Sequence, residues 1–341
     1  MAIGRVALRR EYFREKRDTI YAQGKMEVVM FRYPSGVEAL EITNELGRMT
    51  VLPYMGQMIW DLMFDGIDLK MKNMFDQPRK AETIIDTYGC FAFHSGLLQN
   101  GCPAPEDDHA LHGEMPCADM DEAWLEIDQE SIRVCGTTEH VKGFGHHYVA
   151  SPSVTMFESS SFIEIKMNVR NLSSAKMPLQ YMCHTNYAYV EGAKMTENLP
   201  EGAFTLRKTV PAHVKPNEQW LAYNEALLEG RETLESLDRP EMYDPEIVFF
   251  ADRLDRYAET AEFRMKSPEV EFFTRFKTSE LNYATRWLLY NGDQQVGAFV
   301  LPATCRPEGY LAAEASGTLI ELAAGEERTF TVTTGMKKGD E

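Results

Sequence analysis

The stretch SFIEIKMNVRN, residues 161–171, decides the reading of this chain. Ile163, Ile165, Met167 and Val169 alternate with Glu164, Lys166, Asn168 and Arg170, and only Phe162 departs from strict alternation. A period of two places the apolar set on one face of a β-strand and the polar set on the other. The same style recurs on both sides. MEVVMFRYPSGVEALEITNELGRMTVLP (26–53) alternates around Pro34-Ser35-Gly36, and GQMIWDLMFDGIDLKMK (56–72) reads as two strands joined at Asp65-Gly66, a strong hairpin signal. SIRVCGTTEH (131–140), SPSVTMFESSSFIEIKMNVRNLS (151–173), GAFTLRKTVPAH (202–213) and GTLIELAAGEERTFTVTTG (317–335) extend the pattern. Helical signals are few. AIGRVALRREYFREK (2–16) reads as a short helix in an N-terminal extension over residues 1–25, and NEALLEGRETLESLDRPEM (224–242) as a second helix ended by Pro240. SELNYATRWLLYN (279–291) is ambiguous between helix and strand. The expected fold class is all-β: a large antiparallel sandwich with Greek-key connections, one domain over residues 1–341.

Composition narrows the partners. With 44% hydrophobic residues, a sizeable core forms without disulfides or metal. The six cysteines, Cys90, Cys102, Cys117, Cys135, Cys183 and Cys305, are dispersed and form no Cys-x-x-Cys pair, which points to reduced thiols. No stretch is long and apolar enough to span a bilayer, and the N-terminus has no apolar secretion core, so a cytoplasmic location is expected. The net charge of -18 repels nucleic acid and anionic membranes and favours a small neutral molecule as partner. There is no Walker A loop, no dinucleotide-binding glycine fingerprint and no G-x-S-x-G elbow.

What remains is a set of histidines and carboxylates on loops between strands. FHSGLLQNGCPAPEDDHALHGEMPCA (93–118) holds His94, His109 and His112, and its glycines and prolines read as loop. His109, beside Asp107 and Asp108, reads as surface. His112 precedes Gly113, which permits close approach of a ligand to the backbone. In MPLQYMCHTNYAYVEG (177–192), His184 closes an apolar run, either as a satisfied core histidine or as a partly buried proton-exchanging group. In GFGHHYVASP, His146 and His147 point to opposite faces and read as peripheral. AFVLPATCRPEGYLAAEASG (298–317) carries Arg306, Glu308 and Glu314.

Three of these stretches together, GLLQNGCPAPEDDHALHGEMPCA, NVRNLSSAKMPLQYMCHTNYAYV and GTLIELAAGEERTFTV, resemble the aldose 1-epimerase (galactose mutarotase-like) superfamily, in particular its DUF4432-like branch. The resemblance runs from about residue 37 to 334. It implies a β-supersandwich with an open sugar cleft and cofactor-free interconversion of sugar anomers. In that chemistry a carboxylate takes the anomeric proton while a histidine protonates the ring oxygen. It implies His112 as the orienting histidine and His184 as the general acid. Gln99 and Asn100 offer hydrogen bonds for sugar hydroxyls, Arg79 (or Lys72) a cation, and Trp60, Tyr187 or Trp287 an aromatic face. The sequence departs from the family at the base, where Leu301 stands before Pro302. Glu308 is the preferred replacement, with Glu314 behind it.

The expected function is therefore a cofactor-free sugar isomerase without a metal. One alternative is a carbohydrate-binding or sensing protein that has lost the base. The other is a metal-dependent sugar isomerase or lyase using His94, His109 or His112 with Glu106 or Glu114.

Overall fold

The computed structural model describes residues 4–210 and 214–339. Two antiparallel sheets dominate it. The first has nine strands, in the order Gly4–Leu8, Glu122–Ile127, Ser131–Val141, His147–Phe157, Phe162–Asn171, Glu327–Lys338, Val270–Lys277, Thr260–Lys266 and Lys194–Glu197. Phe162–Asn171 lies in its middle, paired with His147–Phe157 on one side and Glu327–Lys338 on the other. Ile163, Ile165, Met167 and Val169 are fully buried, as their alternation requires.

The second sheet has 13 strands. Its central path runs through Ile247–Asp252, Tyr283–Tyr290, Gln295–Ala303, Met177–Thr185, Ala92–Leu97 and Met58–Phe64. The stretch that was ambiguous, 279–291, is a strand there. The Asp65-Gly66 turn joins Met58–Phe64 to Ile67–Asp68, and both turn residues take positive φ, 50° and 79°. Aromatic side chains lock the sheets together. Tyr181 of the second sheet stacks on Phe330 of the first at 4.9 Å, and the Tyr187 hydroxyl shares a 2.7 Å hydrogen bond with Thr334.

Several expectations need correction. Among the described residues, the N-terminal extension forms strands where a helix was expected. Gly4–Leu8 is an edge strand on Glu122–Ile127, Arg10–Tyr12 is a single 3-10 turn, and Asp18–Gln23 is a further strand. Its residues find strand partners, with Arg5 over the Trp124 ring at 4.2 Å and the Tyr54 hydroxyl donating to the Leu8 carbonyl. An edge site of this kind outweighs weak helical propensity. The second helix starts earlier and stops sooner than expected, at Glu218–Leu228. Asn217 caps it by accepting from the Trp220 N–H, and Gly230 follows its end with φ 71°. Around residues 202–213 the strand is only Phe204–Leu206, and 211–213 lie outside the described residues. Finally, the expected loop 93–118 begins inside strand Ala92–Leu97.

The alternation argument makes a stability prediction. Ile165→Ala should cost about 2–5 kcal/mol by urea denaturation, because it opens a cavity between the sheets. Glu164→Ala, one residue away on the opposite face, should change stability by no more than roughly 1 kcal/mol.

Candidate functional site

Strand Met177–Thr185 sends Leu179, Tyr181 and Cys183 into the inter-sheet core, and Met182 and His184 to the opposite face. Its neighbour Ala92–Leu97 is in register, with His184 beside Phe93 and Cys183 beside His94. His94 thus lies on the core side, hydrogen bonded through Nδ1 to the Tyr181 hydroxyl at 2.9 Å. Burial pushes its pKa down to about 3. Phe93 lies on the other side and stacks on His184, 4.4 Å between ring centroids.

Above this face opens a cleft of about 780 Å³. His112 and His184 meet there edge to face, 4.8 Å apart, both nearly inaccessible to solvent except toward the cleft they line. His112 comes from a loop and takes φ 64°, with its N–H donating to the Gly101 carbonyl and its carbonyl accepting from Gly96. Gly113 serves this packing. A Cβ there would sit 2.1 Å from the Gln99 carbonyl oxygen, so the glycine admits a neighbouring backbone, not a ligand as expected. Ser95 holds the His112 ring at 3.1 Å from Nδ1 and donates its single proton to Asn100 Oδ1, its shorter contact. His112 Nδ1 is thereby tied to Ser95, whose hydroxyl also lies 3.3 Å from the His112 carbonyl.

Around His184 stand Tyr88 and Trp287. The Tyr88 hydroxyl shares a 3.2 Å hydrogen bond with His184 Nε2, and the Trp287 ring is 5.7 Å away, edge on. Burial lowers the His184 pKa well below its usual 6.5. The nearby His112 adds to that shift and Asn186 opposes it. Burial likewise holds the Tyr88 hydroxyl well above its usual 10. At neutral pH the imidazole is uncharged and the phenol keeps its proton.

Asp244 lines the cleft, and so does a second carboxylate, Glu246. It precedes strand Ile247–Asp252, and its Oε2 accepts from the Trp287 indole N–H at 2.7 Å. Trp287 therefore touches both the acid and the imidazole. Arg207 brings a guanidinium to the same wall. The sequence reading missed Glu246, Arg207 and Tyr88. The signal for Glu246 was its place in YDPEIVFF, at the junction of a proline turn and an apolar strand.

Other expected site residues lie elsewhere. Leu301 does face the cleft, opposite Thr285 on the adjoining strand. Glu308 is on the rim, bonded to Thr209 at 3.2 Å and 3.8 Å from Arg207, and it does not line the cleft. Glu314 is exposed on the short helix Tyr310–Ala315. Trp60 is buried in the sheet with the Lys70 ammonium over its ring, and Tyr187 is buried between the sheets. Arg79 and Lys72 are exposed away from the cleft lining, whereas Trp287 is part of it. Gln99 is half-buried and packs its backbone on Gly113, while Asn100 acts through Ser95. His109 is not a surface group. Its imidazole is 2% exposed and accepts from the Tyr310 N–H at 3.4 Å, beside Asp107, which caps the same helix. His147 pairs peripherally with Glu139.

The residues of the metal alternative are dispersed. Glu114 accepts from the Leu97 and Leu98 N–H groups and from the Tyr148 hydroxyl, and Glu106 is exposed. Among the described residues, no three His, Cys, Asp or Glu side chains converge as a metal site requires. No helix among them is long and apolar enough to cross a membrane.

Similar architectures are known. A Klebsiella pneumoniae protein provisionally assigned as an aldose 1-epimerase superposes with a TM-score of 0.80 at 12% identity, covering 98% of this chain and 91% of that one. A galactose mutarotase-like protein from Clostridium acetobutylicum gives 0.60 at 13% identity, covering 92% and 99%. A galactose mutarotase related enzyme from Lactobacillus acidophilus gives 0.59 at 12%, covering 89% and 99%. At such identities the likeness establishes the fold, a galactose mutarotase-like β-supersandwich. Comparison with curated protein sequences returns no match. Residues 34–336 match the model of the family described as a domain of unknown function, DUF4432, and the chain belongs to that family.

Proposed function

We propose that the cleft is the active site of a cofactor-free sugar isomerase of the aldose 1-epimerase type, acting on a free aldose. The observation that carries this reading is the meeting of His112 and His184 in one hollow, with Glu246 joined to their aromatic wall through Trp287. Glu246 replaces Glu308 as the base. Its carboxylate takes the proton of the anomeric hydroxyl, the bond between the anomeric carbon and the ring oxygen breaks, and the electron pair goes to that oxygen. The Tyr88–His184 pair supplies a proton there. A donor held protonated by burial is matched to the alkoxide that forms as the ring opens. Rotation about the C1–C2 bond and reversal of both transfers close the ring on the other face. His112 orients a sugar hydroxyl, and Arg207 supplies donors along the wall.

Mutarotation of a panel of free aldoses, followed by polarimetry or NMR exchange, tests this. His184→Ala and Glu246→Gln should each lower kcat/KM about 10²–10⁴-fold while the fold persists. Acceleration of no aldose by the wild type removes the enzymatic reading. If calorimetry still detects sugar binding, Leu301 at the expected base position marks a binding or sensing protein on the same scaffold.

The pH profile tests the acid. His184 gains a proton only well below pH 6.5, and Tyr88 loses one only well above pH 10. The pair is thus in one protonation state across the neutral range, and kcat/KM should be flat from about pH 6.5 to 8.5, with any acid limb below. A tenfold fall per unit above pH 6.5 would mean that the acid is an imidazolium, contrary to this assignment.

A further inference from the structure

The cleft is large and partly apolar. Its volume of about 780 Å³ lies in the upper part of the range of small-molecule sites, about 300–1,000 Å³. Its chemistry is also uneven. His112, His184, Asp244, Glu246 and Arg207 bring ionisable groups, and Thr285, Asn291 and Gln294 add further hydrogen-bonding side chains. The segment between strands Ile67–Asp68 and Ala92–Leu97 lines it with Met74, Phe75, Ile85 and Tyr88. The only polar atom those four side chains carry is the Tyr88 hydroxyl, and it is turned to His184.

Met74 and Ile85 are 65% and 59% exposed, so two large apolar side chains stand in solvent at the mouth. The turn beyond Leu289 is tied to this segment by the Gln295 N–H donating to the Lys72 carbonyl. In that turn Asn291 Oδ1 already accepts from Asp293 and Gln294. A second, hydroxyl-rich sugar ring laid against Met74, Phe75 and Ile85 would give up water and find no hydrogen-bonding group on those three side chains; Asn291 Nδ2 and the Gln294 amide are the polar groups that the adjoining turn adds. An alkyl, acyl or aryl group there is favoured instead, by removal of apolar area from water on both sides.

We infer that the substrate is an amphipathic reducing sugar, with a free anomeric hydroxyl at the imidazole–carboxylate end and an apolar substituent on another ring position lying against Met74, Phe75 and Ile85. This deepens the isomerase reading and rests on it.

The test compares glucose, galactose and mannose with their benzyl ethers at O3, O4 and O6, by NMR exchange and by calorimetry, on the wild type and on Met74→Asp/Ile85→Asp. For at least one parent sugar, one ether should show at least tenfold higher kcat/KM than the parent, mainly through KM, and the double variant should erase that advantage. Turnover of the parents with no ether preferred would overturn this inference and leave the isomerase reading standing. Turnover of nothing, with ethers bound at least tenfold more tightly than parents in a variant-sensitive way, would sustain the amphipathic ligand and reject the isomerase. Neither turnover nor preferential binding would overturn both.

Discussion

The two faces of one strand, Met177–Thr185, govern the rest. Its odd-numbered side chains close the space between the sheets, where Tyr181 stacks on Phe330 and Cys183 lies beside the core. Of its even-numbered side chains, Met182 and His184 line the cleft. A slip of one residue would turn His184 into the core and Tyr181 into the hollow. The hydrophobic packing that stabilises the sandwich therefore also aims the imidazole. The neighbouring strand obeys the same rule, with His94 turned inward to Tyr181 and Phe93 outward to His184. Two histidines on paired strands thus sit in environments that both keep them neutral, yet only His184 borders the cleft.

Burial sets the protonation of the site more than charge does. Removal from water is the chief cause of both the His184 and the Tyr88 shifts, in opposite directions on the pH scale but toward the same uncharged state. The Tyr88 hydroxyl and His184 Nε2 are joined directly by a hydrogen bond, so the pair behaves as one unit. Glu246 precedes strand Ile247–Asp252, and the Trp287 indole N–H donates to it. Leu301 and Glu246 occupy the same hollow from different strands.

The fold was largely legible because period-two alternation is local, as at Ile163–Val169. The convergence of His112 with His184 followed from resemblance, since nothing local links a loop at 112 to a strand at 184. The place of Glu246 in the cleft was not legible. Glu308 and Glu246 are both acids beside prolines, and only the pairing of Ile247–Asp252 with Tyr283–Tyr290 brings Glu246 to Trp287. The error over residues 1–25 has the same origin. An edge strand takes its identity from its partner, here Glu122–Ile127, and not from its own residues. His109 looked superficial among its acids, but the short helix at Tyr310–Ala315, some two hundred residues on, covers it.

The hollow draws its lining from at least four distant parts of the chain: residues 74–88, 102–112, 182–207 and 244–307. The middle strand, Met177–Thr185, is flanked by Ala92–Leu97 from the first third and Gln295–Ala303 from the last. During synthesis, the imidazoles therefore emerge long before the carboxylate and the indole that complete their surroundings. The hollow is incomplete until the final strands dock, and no half of the sequence, expressed by itself, contains its whole lining.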